Sequence, residues 1–365
     1  MQSGAPARSL ALSFACALAV GGACSDESEV PEDDDSYVTT GVTGANAATG
    51  TGSSPSTGAW GAGHQGGGGE GPVSHGPYPI VLAHGFFGFE EFAGLDFATY
   101  FYEVKEDLAQ KGETLVFTPA VDPFNDSTFR GGQLVERIEA ILADTGYDKV
   151  VIIGHSQGGL DARVVAHDRP DLVAAVVTVA TPHGGTPVAD IALGLVDDPT
   201  FGGVIDDLVN AIGAALYDQV GNETAVTKPL HLFSQPGITA FNAAYPDAPG
   251  VFYASLTGRT DSNLGGMGCV ADFELPIVTA LKQDKDPTDP FFVLTEGVID
   301  GSGNDPNDGL VRVEDAKHGE FWGCVPADHL DEVGHLLGDG PGFGNDFDHK
   351  TLYREIIAEL RARGF

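Results

Sequence analysis

Basic residues are scarce in this sequence. Lysine and arginine total 18, whereas aspartate and glutamate total 53 among 365 residues, giving a formal net charge of −35 at pH 7. This excess of negative charge repels nucleic-acid phosphates and anionic lipid headgroups, so it argues against a nucleic-acid-binding protein. The same acidity suits a soluble secreted protein and favours the binding of cations such as calcium.

Long hydrophobic runs are also missing. The apolar stretch at residues 10–20 follows the positive charge of Arg8 and is too short to cross a bilayer, so we predict no transmembrane span. Small residues follow at 21–23, and this order of features is typical of a secretory signal peptide, predicted over residues 1–23. We therefore expect the protein to be exported.

Cys24 directly follows this segment and resembles the acylated cysteine of a bacterial lipoprotein. The match is incomplete because Gly21 stands where such signals usually carry leucine. Two interpretations stay open. A lipid anchor at Cys24 would hold the protein at the outer membrane or cell surface, whereas ordinary signal cleavage near the same position would release it as a secreted protein.

Only four cysteines are present, and Cys16 and Cys24 lie in the N-terminal segment. Cys269 and Cys324 remain in the region whose apolar patterns predict a folded domain. Because exported proteins meet oxidising conditions, we predict a disulfide between them. The alternative is a pair of buried free thiols.

Residues 24–76 lack the apolar residues that a core requires. Acidic residues dominate positions 25–35, and glycine, serine, threonine and alanine dominate positions 36–76. We predict a solvated tether over residues 24–76, followed by one folded domain over residues 77–365.

Strand and helix patterns alternate along the predicted domain. Short apolar runs predict buried strands at 80–83, 115–117, 150–153, 173–179 and 251–256. Helical spacing of apolar residues predicts helices at 97–110, 133–143, 160–167 and 352–363. This alternation predicts an α/β fold with a mostly parallel central sheet and helices on both faces. Residues 259–307 are rich in loop-forming residues and give no firm assignment.

Ser156 stands between two glycines in the motif Gly-His-Ser-Gln-Gly, after the apolar run 150–153 and before a helical pattern. A serine at a strand-to-helix turn of this kind is a nucleophile elbow, in which the flanking residues must be small and the hydroxyl projects above the sheet. The N-terminus of the following helix favours developing negative charge. An ordinary turn serine is the alternative.

A nucleophilic serine needs a base, and the base needs an orienting acid. In this fold they follow the serine in the order acid, then histidine. His329 lies in a loop followed by an acidic segment and is favoured as the base, whereas His183 follows a strand and is favoured as a structural residue. Asp308 is favoured as the acid, with Asp300 and Asp305 as nearby rivals.

Two backbone N–H groups are needed to receive the oxyanion. One is expected from Gln157, directly after the proposed nucleophile, and the other from Phe86 in the segment AHGFFGF, which follows the first predicted strand. The alternative for this segment is an ordinary strand-terminating glycine.

These motifs resemble those of the secreted bacterial triacylglycerol lipases of the Pseudomonas and Burkholderia type, over roughly residues 78–337. The matching segments are YPIVLAHGFFGF, GHSQGGLDAR, VATPHGGTPVAD, FNAAYP, NDGLV and HLDEV. The resemblance implies an α/β-hydrolase fold and the hydrolysis of lipid esters at an oil–water interface. It also implies that Asp308 is the acid and His329 the base of the triad.

The resemblance further implies a structural calcium ion. Its side-chain ligands would be Asp286 and Asp331, and its backbone carbonyl ligands would fall at about His335 and Asp339. The alternative is that these aspartates are solvated surface acids. Some members of the family also need a dedicated membrane-bound foldase, and the sequence leaves that requirement open.

The lid of these lipases would correspond to residues 201–220, where apolar residues at helical spacing are bracketed by glycines. A core helix would show the same spacing. The chain departs from the family in its cysteines, because Cys324 lies only five residues before His329. A short-chain esterase and a polyester depolymerase could use the same triad. A non-enzymatic surface-binding module is the alternative from another class.

Overall fold

The structure is a computed structural model that describes residues 75–86, 100–195, 224–260, 269–287, 292–300, 305–334, 341 and 344–365. The predicted signal peptide, Cys24 and nearly all of the predicted tether lie outside the described residues, as does the predicted lid at 201–220.

A single parallel sheet organises the described part of the chain. Its strands are β1 (Ile80–Ala83), β2 (Val116–Phe117), β3 (Val150–His155), β4 (Val173–Val179), β5 (Phe252–Arg259) and β6 (Glu320–Pro326). They lie in the order β2-β1-β3-β4-β5-β6, and all neighbouring pairs are parallel. The predicted α/β-hydrolase class is confirmed. Because the strands are parallel, the loops that follow them meet at one edge of the sheet.

Helices precede or follow most of these strands. Their bounds are α1 Val104–Gln110, α2 Ser127–Thr145, α3 Gln157–Asp168, α4 Pro187–Ala192, α5 Thr224–Phe233, α6 Gln235–Ala244, α7 Pro276–Ala280, α8 Val293–Asp300, α9 Val313–Ala316 and α10 His349–Ala362. A short 3-10 helix spans Asp331–Val333. Helix α2 is capped at its N-terminus by Asp126, whose carboxylate accepts a hydrogen bond from the Phe129 N–H, and at its C-terminus by Gly146, which has a φ of 76°.

The core occupies both faces of the sheet. Along β1, Ile80 and Leu82 face one apolar layer, and Val81 and Ala83 face the other. The first layer packs against α1 and α10, and the second packs against α2 and α3. Both faces being covered explains why β1 and β4 are continuous apolar runs without the alternation of a half-exposed strand.

Candidate active site

The turn around Ser156 has the tight geometry that the motif predicts. Ser156 lies between β3 and α3 with a φ of 54° and a ψ of −128°, a conformation that is strained for any residue other than glycine. A Cβ atom on Gly154 would lie 2.5 Å from the backbone of Gly158, and one on Gly158 would lie 2.1 Å from the carbonyl oxygen of Ala83. Both flanking positions therefore require glycine, and the strain at Ser156 is held by its surroundings.

Asp308 and His329 lie together in the structure. His329 Nδ1 is 2.8 Å from Asp308 Oδ2, and Asp308 Oδ1 accepts hydrogen bonds from the backbone N–H groups of Leu310 (2.8 Å) and Val311 (2.6 Å). Asp308 is fully buried, and His329 is 5% exposed. An ionised carboxylate can only accept, so His329 Nδ1 carries a proton and its Nε2 is left as a base.

The other candidates for the acid and the base contact other residues where their side chains are described. Asp305 is an exposed carboxylate 3.8 Å from Arg312, and His183 is buried in a stack on His318 with its Nε2 3.0 Å from the Thr178 hydroxyl. Asp300 belongs to α8, but its side chain lies outside the described residues. The structure therefore brings one of the predicted acids to the favoured histidine.

His155 links the nucleophile turn to the loop of the base. It precedes Ser156, and its ring centroid lies 4.7 Å from that of His329. Its Nδ1 is 2.7 Å from the Tyr100 hydroxyl, and its Nε2 is 3.0 Å from Glu332 Oε2. Burial, followed by the charge of Asp308, raises the pKa of Glu332 well above its ordinary value. None of Tyr100, His155 and Glu332 was predicted from the sequence as a site residue.

The loop after β1 lies directly against the nucleophile turn. A Cβ atom on Gly85 would lie 2.7 Å from the Cβ of Ser156, so the loop approaches the serine as closely as backbone allows. His84 holds this loop: its Nε2 accepts from the Val121 N–H (3.1 Å), and its Nδ1 donates to the Gly85 carbonyl (2.9 Å). Phe86 follows Gly85, so this loop brings Phe86, one of the two predicted oxyanion donors, close to the serine.

Gln157, the other predicted oxyanion donor, is the first residue of α3 and is fully buried. Its side-chain Nε2 donates to the carbonyl oxygen of Asn125 at 2.8 Å, which anchors the side chain. The structure thus places Gln157 and Phe86 on two chain segments that meet beside Ser156.

A buried ion pair lies behind the same loop. Arg130 Nε is 2.8 Å from Asp161 Oδ2, and both residues are fully buried. The same guanidinium donates from Nη1 to the Gly85 carbonyl oxygen (3.2 Å) and from Nη2 to that of His84 (2.6 Å). This pair was not predicted from the sequence, because Arg130 lies outside the quoted motifs and Asp161, although it lies in GHSQGGLDAR, had no role assigned to it.

Three carboxylates meet beside the loop of the base. Asp286, Asp328 and Asp331 each place an oxygen within 4.8 Å of the others, and their exposures are 1%, 0% and 3%. Asp328 Oδ1 also accepts from the N–H groups of Leu330 and Asp331. Oxygen donors of this kind fit a hard cation such as calcium. The predicted ligands Asp286 and Asp331 thus lie together, and Asp328, which was not predicted, lies beside them. The predicted carbonyl ligands at His335 and Asp339 lie outside the described residues.

Cys269 and Cys324 form a disulfide, with a Cα–Cα distance of 5.8 Å, which confirms the predicted pairing. Cys324 lies in β6, the strand that leads into the segment carrying His329. Its sulfur packs in a small apolar cluster with Val313 and Phe321. The bridge therefore ties β6 to a distant part of the chain just before the base.

Among the helices that the structure describes, none combines the length and apolarity that a membrane crossing requires.

Comparisons with known proteins agree with this architecture. Residues 78–224 match the α/β hydrolase fold family. The chain is 34% identical to a triacylglycerol lipase of Vibrio cholerae over 297 residues, covering 79% of this chain and 88% of that protein. It is 35% identical to a triacylglycerol lipase of Pseudomonas fragi over 307 residues, covering 79% of this chain and 97% of the relative.

A solved structure, EstA from Clostridium botulinum, shares the fold. It has a TM-score of 0.52 and 20% identity, with coverage of 80% of this chain and 88% of EstA. This likeness concerns the fold alone, because the identity is low. The identities of 34% and 35% to lipases, each covered over most of its length, carry the family assignment. The chain belongs to the bacterial triacylglycerol lipase family of α/β hydrolases.

Proposed function

We propose that the protein is a serine hydrolase of carboxylic esters and that its physiological substrates are triacylglycerols. The observation that carries this proposal is the buried 2.8 Å contact between His329 Nδ1 and Asp308 Oδ2 beside the strained turn at Ser156. The family of named triacylglycerol lipases supports the choice of substrate.

In the proposed mechanism, Ser156 attacks the ester carbonyl while His329 Nε2 takes its proton. Asp308 holds His329 in the productive tautomer and stabilises the imidazolium that forms. The backbone N–H groups of Phe86 and Gln157 receive the oxyanion. The alcohol leaves with the proton from His329, and a water molecule then releases the fatty acid from the acyl-enzyme with the same residues.

Residues 201–220 form the lid in this proposal, with an apolar face that covers the acyl site in water and turns outward at a lipid surface. A short-chain esterase and a polyester depolymerase are the alternatives that share the triad. Rates on p-nitrophenyl esters from acetate to palmitate, and on emulsified triglyceride, separate them. A lipase prefers long chains and gains activity at the emulsion interface, whereas an esterase acts only on soluble short esters.

Two variants test the chemistry directly. Ser156→Ala should reduce turnover by several orders of magnitude and abolish labelling by an alkyl phosphonate. His329→Gln should reduce turnover similarly, because the base is lost, whereas His167→Gln should retain it. His167 is a matched control because it lies at the far end of α3 and contacts the Pro246 carbonyl oxygen. Near-normal esterase activity in a folded Ser156→Ala variant would falsify the assignment.

We further propose that calcium is held by Asp286, Asp328 and Asp331, with His335 and Asp339 supplying backbone carbonyls. The fit rests on the donor set, since three buried carboxylates beside one another suit a dication. The ion's contribution is structural. Asp328 and Asp331 flank His329 in the sequence, so a cation held by them would fix the loop that presents the base.

Export and maturation complete the proposal. Residues 1–23 direct export in this proposal, and the mature protein is either held at the outer membrane or cell surface by a lipid on Cys24 or released by ordinary signal cleavage near that position. Mass spectrometry of the mature N-terminus decides this, since an acylated Cys24 and an unmodified cleaved terminus differ by the mass of the lipid. The requirement for a membrane-bound foldase stays open, and refolding of the purified chain tests it. Full recovery of activity after unassisted refolding would contradict that requirement.

A further inference from the structure

The Arg130–Asp161 ion pair is buried, unlike a surface salt bridge. Both residues are fully buried, and Arg130 uses all three of its nitrogens: Nε on Asp161 Oδ2 (2.8 Å), Nη1 on the Gly85 carbonyl (3.2 Å) and Nη2 on the His84 carbonyl (2.6 Å). A buried guanidinium charge is stable only when it is paired and hydrogen-bonded in this way.

The pair joins the two chain segments that carry the proposed oxyanion donors. Asp161 lies on α3, the helix that starts at Gln157 directly after Ser156, and Arg130 lies on α2. The carbonyls that Arg130 binds belong to the loop that leads into Phe86. The pair therefore forms one direct path of contacts from α3 through two side chains to this loop, beside the hydrogen bonds of His84 that also hold it.

The geometry of the peptide bond gives this contact a direct consequence. In a planar trans peptide the C=O and the N–H point in opposite directions. The carbonyl of Gly85 and the N–H of Phe86 belong to the same peptide. Arg130 Nη1 and His84 Nδ1 both donate to that carbonyl, so together they fix the peptide plane, and the N–H of Phe86 is turned to the side away from Arg130.

We propose that Asp161 is a positioning residue for the oxyanion hole, acting through Arg130 on the peptide between Gly85 and Phe86. This inference rests on the proposed ester-hydrolase function of the site. Asp161 binds Arg130 at Nε, which fixes the guanidinium plane and leaves both Nη groups directed at the loop. Without the carboxylate, the guanidinium loses the partner that sets its orientation. The His84 carbonyl then loses its fixed donor, and the Gly85 carbonyl keeps only the donor from His84 Nδ1.

The charge state of the pair agrees with this role. Burial raises the pKa of Asp161 to about 6, while the charge of Arg130 opposes that rise. The other groups that face the carboxylate are Ser127, the first residue of α2, and Asp126, which caps that helix; Tyr100 lies close enough to be influenced by its charge. At pH 8 the carboxylate is therefore ionised, and assays at that pH probe the intact ion pair.

The first test is Asp161→Asn, which keeps the shape of the side chain and removes its charge. Turnover of a soluble ester and inhibition by a trifluoromethyl ketone are measured at pH 8, because the ketone adduct places an oxyanion in the hole. We expect kcat/KM to fall roughly 10- to 100-fold, below the loss of about 10²–10³ seen when an oxyanion donor is removed outright. KM should change less than threefold, and the inhibition constant of the ketone should rise in proportion to the loss.

The double variant Arg130→Met, Asp161→Leu separates positioning from stability. Replacing a buried ion pair with apolar side chains is often neutral for stability, whereas removing one partner leaves a buried charge. We expect the double variant to regain the free energy of unfolding that Asp161→Asn loses but not the activity. Because it has no unpaired charge, it also provides the test if the single variant fails to fold. Arg137→Met, an exposed arginine on the same helix, is the control and should match the wild type.

The outcomes distinguish this inference from the proposed function. If the folded variants keep kcat/KM and the ketone inhibition constant within twofold of the wild type, Asp161 has no positioning role. The proposed ester-hydrolase function is unaffected by that outcome. A loss of activity with unchanged ketone affinity also overturns it, because the oxyanion hole is then intact. If the wild type neither hydrolyses esters nor reacts with a phosphonate, the proposed function fails first.

Discussion

His329 is joined to Asp308 by two hydrogen bonds of different kinds. The side chains meet at 2.8 Å between Nδ1 and Oδ2, and the backbone N–H of His329 donates to the backbone carbonyl of Asp308 at 2.9 Å. The backbone bond fixes the two loops against each other, and the side-chain bond fixes the ring within that frame. The tautomer of His329 therefore depends on the carboxylate, while the position of its loop does not.

Asp308→Asn should accordingly leave the fold intact and impair the chemistry. An amide nitrogen facing Nδ1 favours the tautomer with the proton on Nε2, and that histidine cannot act as a base. We expect kcat to fall by about two to four orders of magnitude with little change in melting temperature. The control is Asp305→Asn, which alters the exposed rival carboxylate and should keep wild-type kcat. Equal losses in both variants would refute the assignment of the acid.

The parts of the site that the sequence could predict are a contiguous motif, around Ser156, and residues such as Asp308 and His329 that the order of the triad and the family resemblance favour. Ser156 and Gln157 share one motif, and its meaning comes from local geometry: a buried strand, small flanking residues and a helix. Glu332 pairs with His155 across 177 residues, and Arg130 reaches the Gly85 carbonyl across 45. Neither contact leaves a periodicity, a spacing or a recognised chemical pattern in the sequence, so the single chain did not reveal it.

The secondary structure was likewise predicted in some segments and not in others. The predicted strands at 80–83 and 173–179 have the bounds of β1 and β4, because buried parallel strands are continuous apolar runs. Strand β6, Glu320–Pro326, was not predicted, since its glycine, cysteine and proline resemble a loop. Helix α2 begins at Ser127, six residues before the predicted start at 133, because its first turns contain Gly131 and Gly132.

Removing calcium should lower stability. With EDTA we expect the melting temperature to fall by several degrees, since a ligand at 100 times its Kd contributes about 2.7 kcal/mol to the free energy of unfolding. Asp328→Asn should weaken calcium binding in titration calorimetry, because it removes one buried carboxylate from the cluster. The control Asp144→Asn changes an exposed acid on α2 and should bind calcium normally. Calcium-independent melting would contradict the site.

Loss of the disulfide should also lower stability. Cys269 and Cys324 are 55 residues apart, and closing a loop of that length stabilises the fold by about 4 kcal/mol in the chain-entropy model. We expect the variant with both cysteines replaced by alanine to lose most of that free energy of unfolding in urea titrations. Reduction of the wild type should give a similar loss. A change below about 1 kcal/mol would show that the bridge constrains little.

His84 should make the fold sensitive to acid. Burial, followed by the charge of Arg130, lowers the pKa of His84 to about 3 from its ordinary 6.5. The unfolded chain therefore binds one more proton than the folded protein between these values, and this contribution to stability is lost as pH falls from 6.5 towards 3. Each pH unit lowers the free energy of unfolding by up to about 1.4 kcal/mol.

The variant His84→Gln isolates this effect, because its amide oxygen can still accept from the Val121 N–H and it does not titrate. Urea titrations between pH 6.5 and 4.5 should show a flatter dependence on pH in the variant, by about one proton. Other buried groups contribute equally to both proteins and cancel in the difference. Parallel curves for the two proteins would mean that His84 is protonated in the folded state.

Gly131 and Gly132 are adjacent in α2 but should respond in opposite ways to alanine. A Cβ atom on Gly131 would lie 2.5 Å from a methyl carbon of Val164 and 3.3 Å from the Asp161 carbonyl oxygen, whereas one on Gly132 meets nothing within 4 Å. Gly132→Ala should stabilise the protein by about 0.5–1 kcal/mol, because alanine is the better helix former. Gly131→Ala should destabilise it, because α2 must move away from α3. Because Arg130 bridges α2 and α3, activity should fall in Gly131→Ala and stay unchanged in Gly132→Ala. Urea titrations measure the change in stability, and ester hydrolysis measures the change in activity.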